Sequence, residues 1–159
     1  MLEGNWDVIE AGAFHDFDRS VHVVEPFKIP GAWKTRRAAD WRFASPFCVL
    51  WMAADFDDNI YVFREWYDQG IYDSDWATQI AKTETEQKIF CEHGVIDGSI
   101  STSRGSKAED SLVVINKILS SNRLKKFTKA DRSAGSRKEG KLAVHRYLAL
   151  KETGRKLEN

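Results

Sequence analysis

The sequence predicts an α/β fold, in which a mixed β-sheet is flanked by helices. Residues 36–68 contain strand-like runs joined by very short links, residues 72–90 show helical spacing, and the apolar pair Val95-Ile96 returns to a strand pattern. Strands that follow each other so closely pair as an antiparallel meander, whereas a strand that is reached through a helix pairs in parallel.

The three strands of the meander are predicted from apolar, β-branched and aromatic side chains. The first is TRRAADWRF at 35–43, which Ser45-Pro46 ends. The second, FCVLWMAAD at 47–55, is almost continuously apolar, and the third is IYVFREWYD at 60–68. The FDDN segment between the last two predicts a turn.

Along the sequence, one helix is predicted before the fourth strand and two are predicted after it. YDSDWATQIAKTETEQKIF predicts the first, with Ser74 or Asp75 as its N-cap, and AEDSLVVINKILSSN and KLAVHRYLALKE predict two more. The polar segments STSRGSKAEDS and FTKADRSAGSRKEG are predicted connections, and Val21–Val24 are predicted to be extended. The expected inward side chains are Trp76, Ile80, Ile89 or Phe90, Leu112, Ile115 and Leu119.

This order of elements is the layout of ribonuclease-H-like folds. We therefore expect a ribonuclease-H-like domain over residues 36–159, preceded by a linker segment at 1–35 that contains Pro26 and Pro30. In open sheets of this kind, functional groups gather at the carboxyl ends of the parallel strands.

The net charge of zero conceals a strong asymmetry. Residues 1–100 carry 9 Lys and Arg against 18 Asp and Glu, whereas residues 101–159 carry 15 against 6. The basic segment indicates either a surface that meets polyanions or a solvated helical face. No membrane span is expected, because no apolar run approaches the roughly 18 residues that a span requires. No signal peptide is expected either, because the N-terminal MLEGNWDVIE lacks a basic region followed by an apolar one.

Two aspartates occupy the positions at which such a sheet would carry its chemistry. Asp40 lies on the first strand and Asp97 ends the fourth, so their side chains are expected to converge. Two close carboxylates repel each other unless a divalent cation lies between them, and oxygen-rich sites suit Mg²⁺ or Mn²⁺. Two such ions can drive phosphodiester hydrolysis. The structural alternative is that Asp97-Gly98 is simply a favourable turn dipeptide.

Other sites are disfavoured. Cys91 and His93 have zinc-binding chemistry, but no second ligand pair stands nearby in the sequence. His15, His22 and His145 are isolated and are predicted to be surface or capping residues. No GxxxxGK[ST] loop for ATP occurs, and two cysteines give no disulfide framework.

Several longer stretches resemble one protein family. GNWDV followed by GAF, then FDRSVHVVEPFKIP, RAADWRFASPFCVLWMAAD and IYVFREWY, are similar to the large subunit of tailed-phage and prophage terminases, at its C-terminal nuclease portion and the junction before it. GVIDGSI and KADRSAGSRKEGKLAVHRYLA continue the resemblance in the same order, so it covers nearly the whole chain.

The resemblance implies a ribonuclease-H-like nuclease that cuts concatemeric viral DNA during genome packaging with two ions of Mg²⁺ or Mn²⁺. The family's first two catalytic, metal-binding acids fall on Asp40 and Asp97. An ATPase domain precedes this region in relatives, so residues 1–35 are expected to be its linker. The implied partners are double-stranded DNA, that ATPase domain, the small subunit and the portal protein, in the bacterial host cytoplasm. Expected DNA contacts are Arg42, Arg104, Lys107, Lys125, Lys126, Arg132, Arg137 and Lys138.

Three departures from the family pattern bear on activity. Arg42 stands where the family commonly has glycine, and the STSRGSKAED loop differs from the usual pattern after the second acid. The family's last acid lies on a C-terminal helix, and KETGRKLEN ends before any such motif, so the domain is expected to be truncated and weakly active or inactive. Asp131 matches a family position but is not assigned to the metal. The alternative is a non-catalytic module from a degenerate prophage remnant that binds DNA or a partner.

Overall fold

A computed structural model describes residues 13–101 and 110–149 of the chain. Its strands are β1 (Lys34–Asp40), β2 (Phe47–Ala54), β3 (Ile60–Asp68), β4 (Cys91–Ile96) and β5 (Phe127–Lys129). Its helices are α1 (Arg19–His22), α2 (Asp73–Glu86), α3 (Ser111–Ser121) and α4 (Ser136–Leu148), and a 3₁₀ turn covers Gly98–Ser101. No helix among these residues is both long and apolar enough to cross a membrane.

The five strands form one mixed sheet in the order β3-β2-β1-β4-β5. The first three strands pair as an antiparallel meander, β4 pairs in parallel with β1, and β5 pairs in parallel with β4. This arrangement confirms the predicted ribonuclease-H-like fold, with its meander and its parallel fourth strand.

The chain divides into two compact units. One is Lys28–Arg132, which contains the sheet, α2 and α3. The other consists of Met1–Phe27 and Ser133–Asn159, of which the structure describes residues 13–27 and 133–149, including α1 and α4. The role of residues 1–35 as a linker to an ATPase domain stays a prediction.

The core of the larger unit lies between one face of the sheet and helices α2 and α3. β2 alternates strictly between buried and half-buried residues, which directs Phe47, Val49 and Trp51 to the inner face. The helices contribute fully buried side chains, each of which stabilises the fold by about 1.5–3 kcal/mol through removal of apolar surface from water. They include the predicted Trp76, Ile80, Ile115 and Leu119, with Leu112 packed against them.

Arg37 and Glu84 form a buried ion pair within this core, and both side chains are at most 1% exposed. Arg37 Nη1 donates to both carboxylate oxygens of Glu84 at 2.6 Å, and its Nη2 donates to the carbonyl oxygen of Lys125. Trp51 Nε1 donates to Glu84 at 2.9 Å. The guanidinium also stacks 4.5 Å from the ring of Phe127, so this one charge pair joins β1, β2, β5 and α2.

Neighbouring residues are shaped by this pair. A Cβ atom at Gly94 would lie 3.1 Å from both Arg37 Nε and the Phe127 ring, so the absence of a side chain there leaves room for their stacking. The thiol of Cys91 donates to Glu84 at 3.5 Å. Burial and the adjacent Glu84 charge raise the pKa of that thiol to about 12.

Several predicted element boundaries were wrong. The FTKADRSAGSRKEG segment is not only a connection, because Phe127 buries its ring and begins β5, and α4 already starts at Ser136. The N-cap of α2 is Tyr72, not Ser74 or Asp75. Val21 and His22, the first half of the run Val21–Val24 predicted to be extended, instead end the helical turn Arg19–His22, because the Asp18 side chain accepts from Ser20 N and caps this turn. Of the two alternatives at the end of α2, Ile89 is buried and Phe90 is 81% exposed.

Replacement of Glu84 by glutamine should destabilise the protein by about 3–5 kcal/mol, because it leaves the Arg37 charge buried without its partner. The measurement is the free energy of unfolding in urea. Glu86→Gln is the matched control, since Glu86 is exposed on the same helix and should change stability by less than about 0.5 kcal/mol. Equal effects of the two substitutions would contradict the importance of the buried pair.

Candidate functional site

Asp40 and Asp97 lie side by side at the carboxyl ends of two parallel strands. Ala39 pairs with Ile96, and the Asp97 N–H donates to the Ala39 carbonyl oxygen at 2.9 Å. The two aspartates are therefore the next residues along β1 and β4, where neighbouring backbones run about 5 Å apart. The structure brings the two predicted acids together at the expected edge of the sheet.

Hydrogen bonds hold the Asp97 carboxylate in its ionised form. Its Oδ1 accepts from the backbone N–H of Ser99 at 2.7 Å. A hydrogen bond from the Ser99 side chain, this backbone bond and the charges of Arg132 and Arg42 lower the pKa of Asp97, although partial burial opposes them. Arg132 lies directly beside the site, because a Cβ atom at Gly98 would stand 2.7 Å from its Cδ.

Asp40 is more open to solvent than Asp97, with 63% of its side chain exposed. Arg42 Nε lies 3.9 Å from Asp40 Oδ1, at the long end of ion-pair distances. An exposed ion pair of this kind contributes at most about 1 kcal/mol, so a cation that binds the Asp40 carboxylate more strongly can displace Arg42 from it. The Asp40 carboxylate is thus accessible to a cation or to a phosphate-bearing ligand that approaches Arg42.

The sheet face that carries Asp40 is also partly exposed along β2 and β3. Cys48 pairs with Asp40, and Leu50 pairs with Glu65, which is exposed on the same face. Burial, followed by the charges of Glu65 and Asp40, raises the pKa of the Cys48 thiol. Glu65 therefore belongs to the acidic surroundings of this face, a position that sequence alternation alone does not assign.

The eight residues predicted to contact DNA fall into four groups. Arg42 and Arg132 stand beside the acid pair. Lys125 and Lys126 are exposed before β5, which begins opposite Gly94, so they lie towards the amino ends of the parallel strands, away from Asp97. The other four are Arg137 and Lys138 on the first turn of α4 in the smaller unit, and Arg104 and Lys107, which lie outside the described residues.

Cys91 and His93 do not converge, although one residue separates them in the sequence. A register shift in the pairing of β1 with β4 places Cys91 opposite Thr35 and His93 opposite Arg36. Cys91 consequently points inward to Glu84, whereas His93 contacts the Thr128 hydroxyl on the exposed side at 3.2 Å.

The prediction that His15 and His145 are isolated was wrong, because both contact Asp16 in the smaller unit. Their separation in sequence hides the cluster, and no local spacing pattern signals it. His22 does act as a capping residue, as predicted, since its Nε2 bonds the Leu148 carbonyl oxygen at 2.9 Å.

Acidification should reveal the contribution of Asp97. Because its pKa is lowered by folding, its ionised form stabilises the protein above the ordinary aspartate pKa of about 4, and this stabilisation is lost as the pH falls through the folded value. We expect the free energy of unfolding to fall less steeply between about pH 5 and 2 for Asp97→Asn than for the unsubstituted chain. Ser99→Ala should raise the pKa of Asp97, measured by the NMR titration of its carboxyl carbon. Identical pH profiles for Asp97→Asn and the parent chain would contradict this assignment.

No protein-family model and no curated protein matches this sequence, but solved structures do. The large terminase of a thermophilic bacteriophage matches with a TM-score of 0.59 and 17% identity, over 87% of this chain and 33% of that one. The same terminase in complex with ADP gives 0.60 and 18%, with the same coverage. The P22 large terminase nuclease domain gives 0.50 and 12%, over 83% of this chain and 68% of that domain.

The chain therefore spans about one third of the length of the thermophilic phage terminase. At these identities the similarity concerns the fold. The described residues have the ribonuclease-H-like fold of a large-terminase nuclease domain.

Proposed function

We propose that this chain is the nuclease module of a viral DNA-packaging terminase, which cuts concatemeric phage DNA by metal-dependent phosphodiester hydrolysis. The observation that carries the proposal is the adjacency of Asp40 and Asp97 at the carboxyl ends of parallel strands, in a fold shared with terminase nuclease domains. Functional groups of open α/β sheets gather at this edge. Two adjacent carboxylates also create the local negative charge that a divalent cation neutralises.

The chemistry of the donor groups fits Mg²⁺ or Mn²⁺. Both candidate ligands are carboxylates, and hard divalent cations prefer oxygen ligands. Asp97 is held ionised by its bonds to Ser99, and Asp40 is exposed with only a long contact to Arg42. Asp40 and Asp97 would hold the ions, which supply an activated water and stabilise the leaving oxygen of the phosphodiester.

Two arginine side chains of the protein would bind the phosphates of the DNA backbone. Arg42 and Arg132 stand beside the two carboxylates, where a phosphate bound to the metal ions would carry its negative charge. Arginine binds phosphate through two parallel N–H groups and does not read the base sequence through that contact. Lys125 and Lys126 lie further from the acids, so we assign them to a more distant part of the DNA path.

The packaging partners follow from the same proposal. The thermophilic phage terminase was solved with ADP and with ATP-gamma-S and is about three times the length that this chain matches. We propose that the present chain works beside an ATPase domain of that kind, with the small subunit and the portal protein, in the bacterial host cytoplasm.

Incubation of the full chain with supercoiled plasmid tests the enzymatic proposal. We expect slow formation of nicked and linear DNA with Mg²⁺ or Mn²⁺ and none with EDTA, in line with the weak activity expected of the truncated domain. Asp40→Asn or Asp97→Asn should lower the cleavage rate by at least about a hundredfold, because each removes a charged metal ligand. Asp57→Asn is the matched control, since Asp57 is an exposed aspartate of the β2–β3 turn at the other end of the sheet. Cleavage that survives both site substitutions would refute the site assignment.

A non-catalytic module that binds DNA or a packaging partner is the second candidate. The observation that favours it is the pair of arginines beside the acids, because their charges compete with a metal ion. In addition, within residues 13–101 and 110–149, no group of three metal-ligating side chains that includes Asp40 or Asp97 has all its ligand atoms within 4.8 Å. DNA binding by the parent chain that is unaffected by EDTA and by Asp40→Asn, without any cleavage, would favour this candidate.

Removal of the Arg42 charge should strengthen metal binding. A unit charge about 4 Å from a carboxylate is worth about 1 kcal/mol in water, so Arg42→Gly should raise the association constant for Mn²⁺ by about fivefold. Isothermal titration calorimetry measures this constant. Arg42→Lys keeps the charge and serves as the control, and an unchanged or weaker affinity of Arg42→Gly would show that the arginine does not compete with the ion.

A further inference from the structure

A cluster of two histidines and one aspartate lies in the smaller unit. His15 Nε2 is 3.0 Å from Asp16 Oδ1, and His145 Nδ1 bonds Asp16 Oδ2. One ligand atom from each of the three residues lies within 4.8 Å of the other two. Among residues 13–101 and 110–149, these three side chains are the group of metal-ligating residues whose ligand atoms come this close together.

We propose that His15, Asp16 and His145 form a binding site for a divalent transition-metal ion of the Zn²⁺ type. Two imidazoles and one carboxylate are a common ligand set for Zn²⁺, with metal–ligand bonds of about 2.0–2.2 Å. Ligand atoms around a tetrahedral ion of that size stand roughly 3.3–3.6 Å apart, so the cluster needs only small side-chain movements to close on it. The imidazoles favour this class of ion over Mg²⁺ and Ca²⁺, which select oxygen.

The electrostatics of the cluster favour a cation. The hydrogen bond from His145 is the main cause that lowers the pKa of Asp16, so this carboxylate is ionised over the working pH range. His145 also lies in the last turn of α4, where the unpaired carbonyl groups carry a partial negative charge. A metal ion would take the place of the hydrogen bond between His145 and Asp16, with each imidazole ligating through a nitrogen that carries no proton.

In this cluster, His145 and Asp16 are partly buried, whereas His15 is exposed to solvent. The His145 side chain is 19% exposed, and its ring lies 5.5 Å from that of Phe14 and 5.2 Å from that of His15. Asp16 is 30% exposed, whereas His15 is 70% exposed and leaves a route for an ion from solvent. Two ligands are thus held in place and the third is free to move onto the ion.

A metal ion would also stabilise the smaller unit, whose helices bury no residues. None of the residues of α1 or α4 is buried, although α4 spans Ser136–Leu148. Helices in proteins are stabilised mainly by burial of an apolar face, and small units that lack such burial commonly depend on a metal or a disulfide. A metal ion on His15, Asp16 and His145 would tie the segment before α1 to the last turn of α4.

Titration of the full chain with zinc chloride, followed by calorimetry, tests the site. We expect one high-affinity equivalent of Zn²⁺ per chain and a higher thermal unfolding temperature. Co²⁺ should give the visible absorption bands of a low-symmetry, four- or five-coordinate site. Substitutions His15→Gln, Asp16→Asn and His145→Gln should each lower the association constant by roughly tenfold or more.

The controls separate this site from the other histidines and from the proposed nuclease centre. His93→Gln removes an exposed histidine of β4 and should leave Zn²⁺ binding unchanged. The double variant Asp40→Asn/Asp97→Asn should also retain it, so failure of either proposal is visible without the other. His15 is exposed, and His15→Gln therefore reports on binding even if His145→Gln disturbs the fold. The proposal is overturned if the parent chain binds no stoichiometric Zn²⁺, or if His15→Gln and His145→Gln bind it as tightly as the parent chain does.

Discussion

The buried pair of Arg37 and Glu84 is the constraint on which the sheet depends. Burial of two charges costs several kcal/mol each in lost hydration, and this cost is offset only when both groups make several well-directed hydrogen bonds. Here these bonds form only when β1, β2, β4, the start of β5 and α2 are in place together, because each supplies a partner. Any shift of β1 by one residue would turn Arg37 to the other face and leave Glu84 unpaired. The pair therefore favours a single register.

That register determines where the candidate chemistry lies. With Arg37 inward, the alternation of β1 directs Ala38 and Asp40 to the other face, and the parallel pairing with β4 brings Asp97 next to Asp40. The negative charges of Asp40 and Asp97 are then opposed by the positive charges of two neighbouring arginines. Under the proposed function, the two carboxylates would attract a divalent cation, while Arg42 and Arg132 would reduce that attraction and offer contacts to phosphate. The proposed cleavage of DNA depends on this balance.

Much of the fold was predictable because its signals are local. The apolar run of β2, the turn before β3 and the helical spacing of α3 each appear within a dozen residues, and all three elements formed as predicted. The proximity of Asp40 and Asp97 was predicted from their places at strand ends in a known order of elements. The short strand β5 was not predicted, because Phe127 is the one strongly apolar residue in a polar segment and gains its strand conformation from Gly94 across the sheet.

The sequence alone determined the order of the first four strands and of α2, α3 and α4, and the edge of the sheet at which the two acids meet, because periodicity and turn residues act over short distances. Only the tertiary structure decided which distant side chains become partners. Arg37 and Glu84 are 47 residues apart, and Asp16 and His145 are 129 residues apart. A register shift likewise separated Cys91 from His93, which the sequence places almost together. Such pairings depend on how the chain returns on itself, and the free energy that selects them comes from burial, which no local pattern encodes.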